Sequence, residues 1–278
     1  MGPGMTSEVL HRVHGSERLS SATGTTADGS APPLSREMLP EEQPLTIEVN
    51  GRPVATLLCT PDAPTELGVG WAFAHGFFDN RAQLGRVTGH HGRVSLMVDT
   101  AVDGGRAWRE WLLAGFDAGT ACATVGGQRG EASMTDEWRL PAATFDVTVA
   151  KMLARFGDER AAPAYHHAAV GGGGRVAALA RDVSRHNAVD KVIGWSLLHE
   201  LPRARLLLCV SGRISADIAF KAWRAGLQII VSRSLPTRQA VNLADAHGLT
   251  LVGAADNVER TVYTHSWRLT DDETEAAE

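Results

Sequence analysis

Three short stretches of this chain collect the hydroxyl, amide and guanidinium groups that an anionic ligand requires. They are Arg181-Asp182-Val183-Ser184-Arg185-His186-Asn187, Ser211-Gly212-Arg213-Ile214-Ser215 and Ser232-Arg233-Ser234-Leu235-Pro236-Thr237. Ser215 and Thr237 stand where helix N-caps are wanted, and a helix N-terminus offers unpaired N–H groups and the positive end of a dipole. With Arg185, Arg213 and Lys191 beside them, these residues would make a compact anion pocket on a chain of formal net charge −5. A phosphate-bearing ligand is the expected guest. Taken singly, each residue reads as an ordinary cap or a solvated arginine; the argument rests on their convergence. The thiols divide differently. Cys122 lies in the Gly-, Thr- and Ala-rich stretch 117–129, whereas Cys59 and Cys209 lie in apolar runs, so Cys122 is the expected reactive thiol.

Convergence depends on the elements that carry the loops. From residue 175 onward, apolar runs at 176–180, 206–210, 227–231 and 249–252 alternate with helix-length segments at 186–201, 215–225 and 237–247. That alternation predicts a parallel sheet with helices packed on it, and ligands bind such sheets outside the carboxyl ends of the strands. Leu206 to Val210 suits a strand buried on both faces, which makes Cys209 a core residue. Gly226 and Gly248 stand where helices stop. The four glycines at 171–174 lack the Lys-Ser/Thr of a phosphate-binding loop and read as a turn before a strand. Further upstream, LTIEVN at 45–50 meets Asn50-Gly51 and continues at 54–60, a strong hairpin signal. Residues 65–76 read as a helix, 93–99 as a strand and 107–113 as a short helix. No internal repeat of the length typical of solenoids is visible.

The fold class expected is therefore α/β, with a smaller N-terminal α+β part. Residues 1–40 read as a disordered leader, 41–130 as the N-terminal part carrying the cysteine stretch, 131–268 as the α/β domain and 269–278 as an acidic tail. With 44% hydrophobic residues in 278, the chain can bury a core without metal or disulfide. Its acidic balance argues against nucleic acid as a partner. Three widely spaced cysteines argue against a secreted disulfide framework and for a reducing cytoplasm, and no apolar run is long enough for a membrane span.

RDVSRHNAVDKVIG at 181–194 resembles the EDVGRHNAVDK signature of the FdhD family, SGRIS at 211–215 its SGR-type loop, and SRSLPT at 232–237 its S-S-A-P-T segment. The order and spacing agree, and the resemblance extends over most of residues 42–264. It implies a cytidine-deaminase-like C-terminal domain, usually dimeric. It also implies a sulfurtransferase that takes persulfide sulfur from a cysteine desulfurase and sulfurates the molybdenum cofactor, in its guanine-dinucleotide form, for formate dehydrogenase. On that resemblance Cys122 is the catalytic residue, and Arg185, His186, Asn187, Lys191, Ser211, Arg213, Ser215, Ser232 and Thr237 bind the cofactor.

This chain also departs from the family pattern. Cys122 falls at the first cysteine of the family's C-G-x-C-G loop, but Val125 occupies the place of the second and Ala123 that of the first glycine. A persulfide needs one attacking thiolate, so the loss removes a relay partner rather than the nucleophile. Where the family has T-G-G-x-H-A-A, this chain has Pro163-Ala164-Tyr165-His166-His167-Ala168-Ala169. Such changes leave two further readings open: a paralogue with altered chemistry in small-molecule biosynthesis, and a non-catalytic cofactor-binding module. The H-x-E and P-C-x-x-C pattern of zinc deaminases is lacking, so no zinc is expected.

Overall fold

The structure, a computed structural model, describes residues 39–99, 138–157, 165–255 and 260–271. The leader up to residue 38, the expected helix at 107–113, the Cys122 stretch and the acidic tail from residue 272 lie outside them. Asn50 and Gly51 adopt φ of 50° and 76°, the two left-handed positions of a tight hairpin turn, and join β1 (Gln43–Val49) to β2 (Arg52–Cys59). β3 (Leu84–His90) and β4 (Arg93–Val98) complete a four-stranded sheet in the order β2-β1-β4-β3, with β1 parallel to β4. Alternation puts Leu45, Ile47 and Val49 of β1 and Val94, Leu96 and Val98 of β4 on the buried face. Helix α1 (Pro64–Ala74) joins the same core through Leu67, Val69 and Phe73.

The C-terminal half is built on a six-stranded sheet in the order β11-β10-β9-β8-β6-β7. Its strands are β6 (His166–Gly172), β7 (Arg175–Asp182), β8 (Leu207–Val210), β9 (Ile229–Ser232), β10 (Thr250–Gly253) and β11 (Thr261–Val262). The expected all-parallel sheet is corrected here. β8, β9 and β10 are mutually parallel, but β6 runs antiparallel between β8 and β7. The alternation of strand and helix could not reveal β6, because no helix separates it from β7, to which it is tied by the Gly173-Gly174 turn, with φ of 57° and 73°. The glycines are thus the turn of a hairpin. Since β7 and β8 are each antiparallel to β6, all four carboxyl ends still meet at one edge.

One face of this sheet is covered by α3 (Arg185–Leu198), α4 (Ala216–Arg224) and α5 (Arg238–His247), which share a core with α1 and the four-stranded sheet. The other is covered by α2 (Ala142–Phe156), whose Phe145, Val149, Met152 and Phe156 meet Leu207, Cys209, Ile229 and Val231. A short parallel pair, β5 (Leu140–Pro141) with β12 (Leu269–Thr270), flanks α2.

A second hairpin and helix, β6-β7-α3, restate β1-β2-α1. ELGVGWAFAHG at 66–76 aligns with DKVIGWSLLHE at 190–200. Each segment stacks a Trp on the His four residues later, Trp71 on His75 and Trp195 on His199, with ring centroids 4.0 Å apart in both. Each helix stops at a left-handed residue, Gly76 or Glu200, and closes with matching backbone bonds, Phe77 N–H to Ala72 O and Leu201 N–H to Ser196 O. The helices cross where a Cβ on Gly70 would lie 1.9 Å from Asp190 O and one on Gly194 would lie 1.9 Å from Glu66 O. Only glycine at both positions permits that approach.

Candidate functional site

At the shared strand edge the loops are bonded to one another before any ligand is considered. Ser232 Oγ donates to Gly212 O at 2.7 Å and accepts from Ser234 N–H at 2.9 Å, so Ser232 is a tie between two loops. Thr237 N–H donates to Ile214 O at 2.9 Å. Ser211 Oγ accepts from His167 N–H at 3.0 Å, and its own N–H donates to His167 O, extending the β6 pairing past the end of β8. Ser215 and Thr237 cap α4 and α5, accepting from Ile218 N–H at 3.5 Å and Ala240 N–H at 3.2 Å. The helix starts are therefore where sequence placed them, with their first-turn N–H groups at this edge.

Two residues predicted to line an anion pocket are instead internal. Lys191 is 1% exposed, and its ammonium lies 2.5 Å from Asp62 Oδ1 and 2.8 Å from Asp182 Oδ2. It also donates to Thr60 O and Arg181 O, so no proton is left for a ligand. Asn187 donates through Nδ2 to Leu58 O at 2.8 Å and Asp182 Oδ1 at 3.0 Å. Asp182, fully buried, also accepts from Thr60 N–H and Ser184 N–H. Together these groups knot the end of β2 to the end of β7. A buried lysine needs such partners, because an unpaired charge in the core costs several kcal/mol.

What the edge leaves open is arginine. Arg213 is exposed and Arg185 half-buried, and neither guanidinium has a hydrogen-bond or ion-pair partner among the described residues; the buried Nε of Arg185 is unmatched. Gly212 lies against both Arg185 and His166: a Cβ there would sit 3.8 Å from Arg185 Cδ and 3.3 Å from His166 Nδ1. An unmatched guanidinium beside bare glycine backbone and two helix starts fits a phosphate, for which Arg supplies forked donors. His186 joins Asp217 through Nδ1 at 2.5 Å.

Behind His186 lies a buried charge chain that the sequence reading missed. Lys221 donates to Asp190 Oδ2 at 2.7 Å. Burial pushes the Asp190 carboxyl up to about 6, against the pull of Lys221. Burial opposes the charged form of Lys221, but Asp190 and Asp217 outweigh it and hold its pKa above the usual value. Burial likewise opposes ionisation of Asp217, which Lys221 and His186 reverse, leaving it below the usual carboxylate range. Asp190 and Lys221, charged residues inside otherwise apolar helical segments, were the signal in the sequence.

Cys59 and Cys209 are core residues, 1% and 0% exposed. Burial, reinforced by Asp182, pushes the Cys59 thiol up to about 11, and burial raises Cys209 as well. Neither can serve as a thiolate near neutral pH. Cys122 lies outside the described residues. His167, stacked on Phe156 at 5.5 Å, is driven down to about 4 by burial and Arg181.

Fold and edge define an α/β protein whose carboxyl-edge loops carry two arginines without a partner among the described residues. The chain matches the FdhD/NarQ family over residues 40–270 and belongs to that family. It is 36% identical to a sulfur carrier protein FdhD of Anaeromyxobacter sp. (strain K), covering 84% of this chain and 89% of that one. It is 31% identical to the sulfur carrier protein FdhD of Geobacillus kaustophilus, covering 82% and 88%. The crystal structure of a protein described as a formate dehydrogenase accessory protein from Desulfotalea psychrophila superimposes with a TM-score of 0.68 at 24% identity, over 84% of this chain and 90% of the other.

Proposed function

We propose that this protein is a sulfur carrier of the FdhD type, with Cys122 as the carrying residue. The observation that carries the assignment is the sealing of the other two thiols, Cys59 and Cys209, in a chain whose relatives are named sulfur carriers. In the proposed reaction the Cys122 thiolate attacks the outer sulfur of a cysteine desulfurase persulfide. A new S–S bond forms on Cys122 while the old one breaks, and the desulfurase cysteine leaves as thiolate. The acceptor is the molybdenum cofactor, here a substrate, bound by its nucleotide phosphates at Arg185, Arg213 and the starts of α4 and α5. Ser211, Ser215, Ser232 and Thr237 hold that edge in shape, and formate dehydrogenase is the final recipient. The same reading keeps a cytidine-deaminase-like arrangement of the C-terminal half, a homodimer and a cytoplasmic setting as proposals; no helix among the described residues is long and apolar enough to cross a membrane.

Intact-mass analysis after incubation with a cysteine desulfurase and cysteine tests the carrier role. One added sulfur, mapping to the Cys122 peptide and lost in Cys122→Ser, is the expected result. Absence of the adduct from the wild-type chain would instead favour the cofactor-binding module. Calorimetric titration of guanosine diphosphate tests the anion edge: Arg213→Ala is expected to weaken binding by about 1.5–3 kcal/mol, the range for hydrogen bonds to charged groups.

A further inference from the structure

Helix α2 packs its apolar side on one face of the six-stranded sheet and turns the other side to solvent. Ala143, Val147, Ala150 and Ala154 are exposed there, and their spacing sets them in one line along the helix. Beside that line stand Lys151 and Arg155, also exposed. Lys151 Nζ donates to Gly174 O at 2.8 Å, and neither cation has an ion-pair partner among the described residues. The helix's one carboxylate, Asp146, is taken by Arg260. On a chain of formal net charge −5, this is a local strip of small apolar and basic groups.

The chain supplies a complement of its own. Thr270 of β12 pairs in parallel with Pro141 of β5, so Asp271 leaves the sheet beside Ala142, the first residue of α2. Arg139, exposed and stacked on Trp267, stands near that exit. Residues 272–278, which lie outside the described part, include Asp272, Glu273, Glu275 and Glu278 and no basic group. Lys151 and Arg155 lie about 13 Å and about 20 Å along the helix from Ala142, at about 1.5 Å per residue. An extended chain advances about 3.3 Å per residue, so from Asp271 it reaches about 13 Å at Glu275 and about 23 Å at Glu278. We propose that the acidic segment 272–278 docks along the outer side of α2, with Glu275 at Lys151 and Glu278 at Arg155 over a floor of Val147, Ala150 and Ala154. Being tethered where the strip begins, the segment meets it at an effective concentration that a free acidic partner cannot match. An acidic partner protein reaches this side of α2 only by displacing the segment.

Lysine chemistry isolates this contact. The chain has three lysines, and Lys191 and Lys221 are sealed at 1% and 3% exposure, so Lys151 is the one exposed lysine. Carbodiimide treatment of the full-length chain joins an amine to a carboxyl group in direct contact, forming an amide with loss of water. Peptide mapping is expected to find Lys151 joined to Glu275 or Glu278 at low salt. The link should largely disappear at about 1 M salt, where the screening length falls to about 3 Å. In a mixture of unlabelled and isotope-labelled chains, each joined pair should carry a single label state, as a link within one copy requires. Mixed labels would assign the strip to a second copy's segment and overturn the proposal. Coupling of Lys151 only to Asp158 or Glu159, or no coupling at all, would overturn it as well. A second measurement is the rate at which an amine reagent modifies Lys151. Wild type should react about two- to fivefold more slowly than a variant carrying Asp272→Asn, Glu273→Gln, Glu275→Gln and Glu278→Gln, the factor exposed ion pairs allow. Equal rates would show that the segment lies elsewhere.

Discussion

The two hairpin–helix units, β1-β2-α1 and β6-β7-α3, share a plan yet differ at the residues that matter most. Leu67 and Lys191 occupy equivalent positions, and both are sealed, at 0% and 1% exposure. In the first unit the position is apolar and needs nothing further. In the second it carries a charge, and Asp62, Asp182, Thr60 O and Arg181 O are gathered around it. Glu66, half-buried, corresponds to Asp190, which is fully buried and held by Lys221. The second unit has thus turned its helix start into a joint with the first, and its outward residues, Arg185 and His186, into the open edge. A run of unusual polar residues such as RHNAVDK mixes both roles. Those pointing inward are fixed by partners, and those pointing outward are free to meet a ligand.

Replacing Lys191 with Leu, as at its counterpart, is expected to have the largest effect on stability. It strands the buried Asp182 without its counter-charge and leaves Asp62 only Arg181, at 3.6 Å, and breaking a buried pair costs about 3–5 kcal/mol. Urea denaturation should show a midpoint well below wild type; a midpoint unchanged within error would mean that the knot does not hold the halves together.

Next come the crossing glycines. Gly70→Ala and Gly194→Ala each set a methyl against backbone of the opposite helix, and overpacking of this kind costs about 1–3 kcal/mol or more. The two losses should be similar, because the contacts are reciprocal. Thermal unfolding in which one variant is neutral would break the proposed equivalence.

A smaller, pH-dependent effect belongs to the first Trp–His pair. Burial, then the ammonium of Lys221, lowers the pKa of His75 to about 4. A histidine depressed on folding favours the native state fully above its unfolded pKa and loses that contribution as pH falls toward its folded one. Between about pH 6.5 and about pH 4 the wild type should therefore lose about 2 kcal/mol more than His75→Gln. Asp190, raised on folding, works in the opposite sense in both proteins and cancels. Parallel urea titrations in acid would reveal the gap, and coincident curves would show that His75 is protonated in the folded chain.

Arg213→Ala should change stability least, within about 0.5 kcal/mol, since its guanidinium is exposed and has no partner among the described residues. Its loss should appear in ligand binding alone. A drop in thermal midpoint comparable to the glycine variants would move Arg213 from the open edge to the structural set.

The sequence by itself determined the local elements. Hydrophobic alternation, Asn50-Gly51, the caps Ser215 and Thr237 and the stops at Gly226 and Gly248 act within a few residues, so the hairpin, the helices α3 to α5 and the shared edge of the three loops were legible. The two buried cysteines were legible for the same reason, standing in apolar runs. Tertiary structure alone decided which polar residues face outward. Lys191 looks like a phosphate ligand until Asp62 and Asp182, distant in sequence, close on it. The antiparallel insertion of β6 was equally hidden, because strand direction is fixed by pairing across the sheet and leaves no period in the chain. The kinship of the two halves required spatial contact as well. Three shared residues, Gly70 with Gly194, Trp71 with Trp195 and His75 with His199, mean little as a string, and they gain meaning only where the two helices touch.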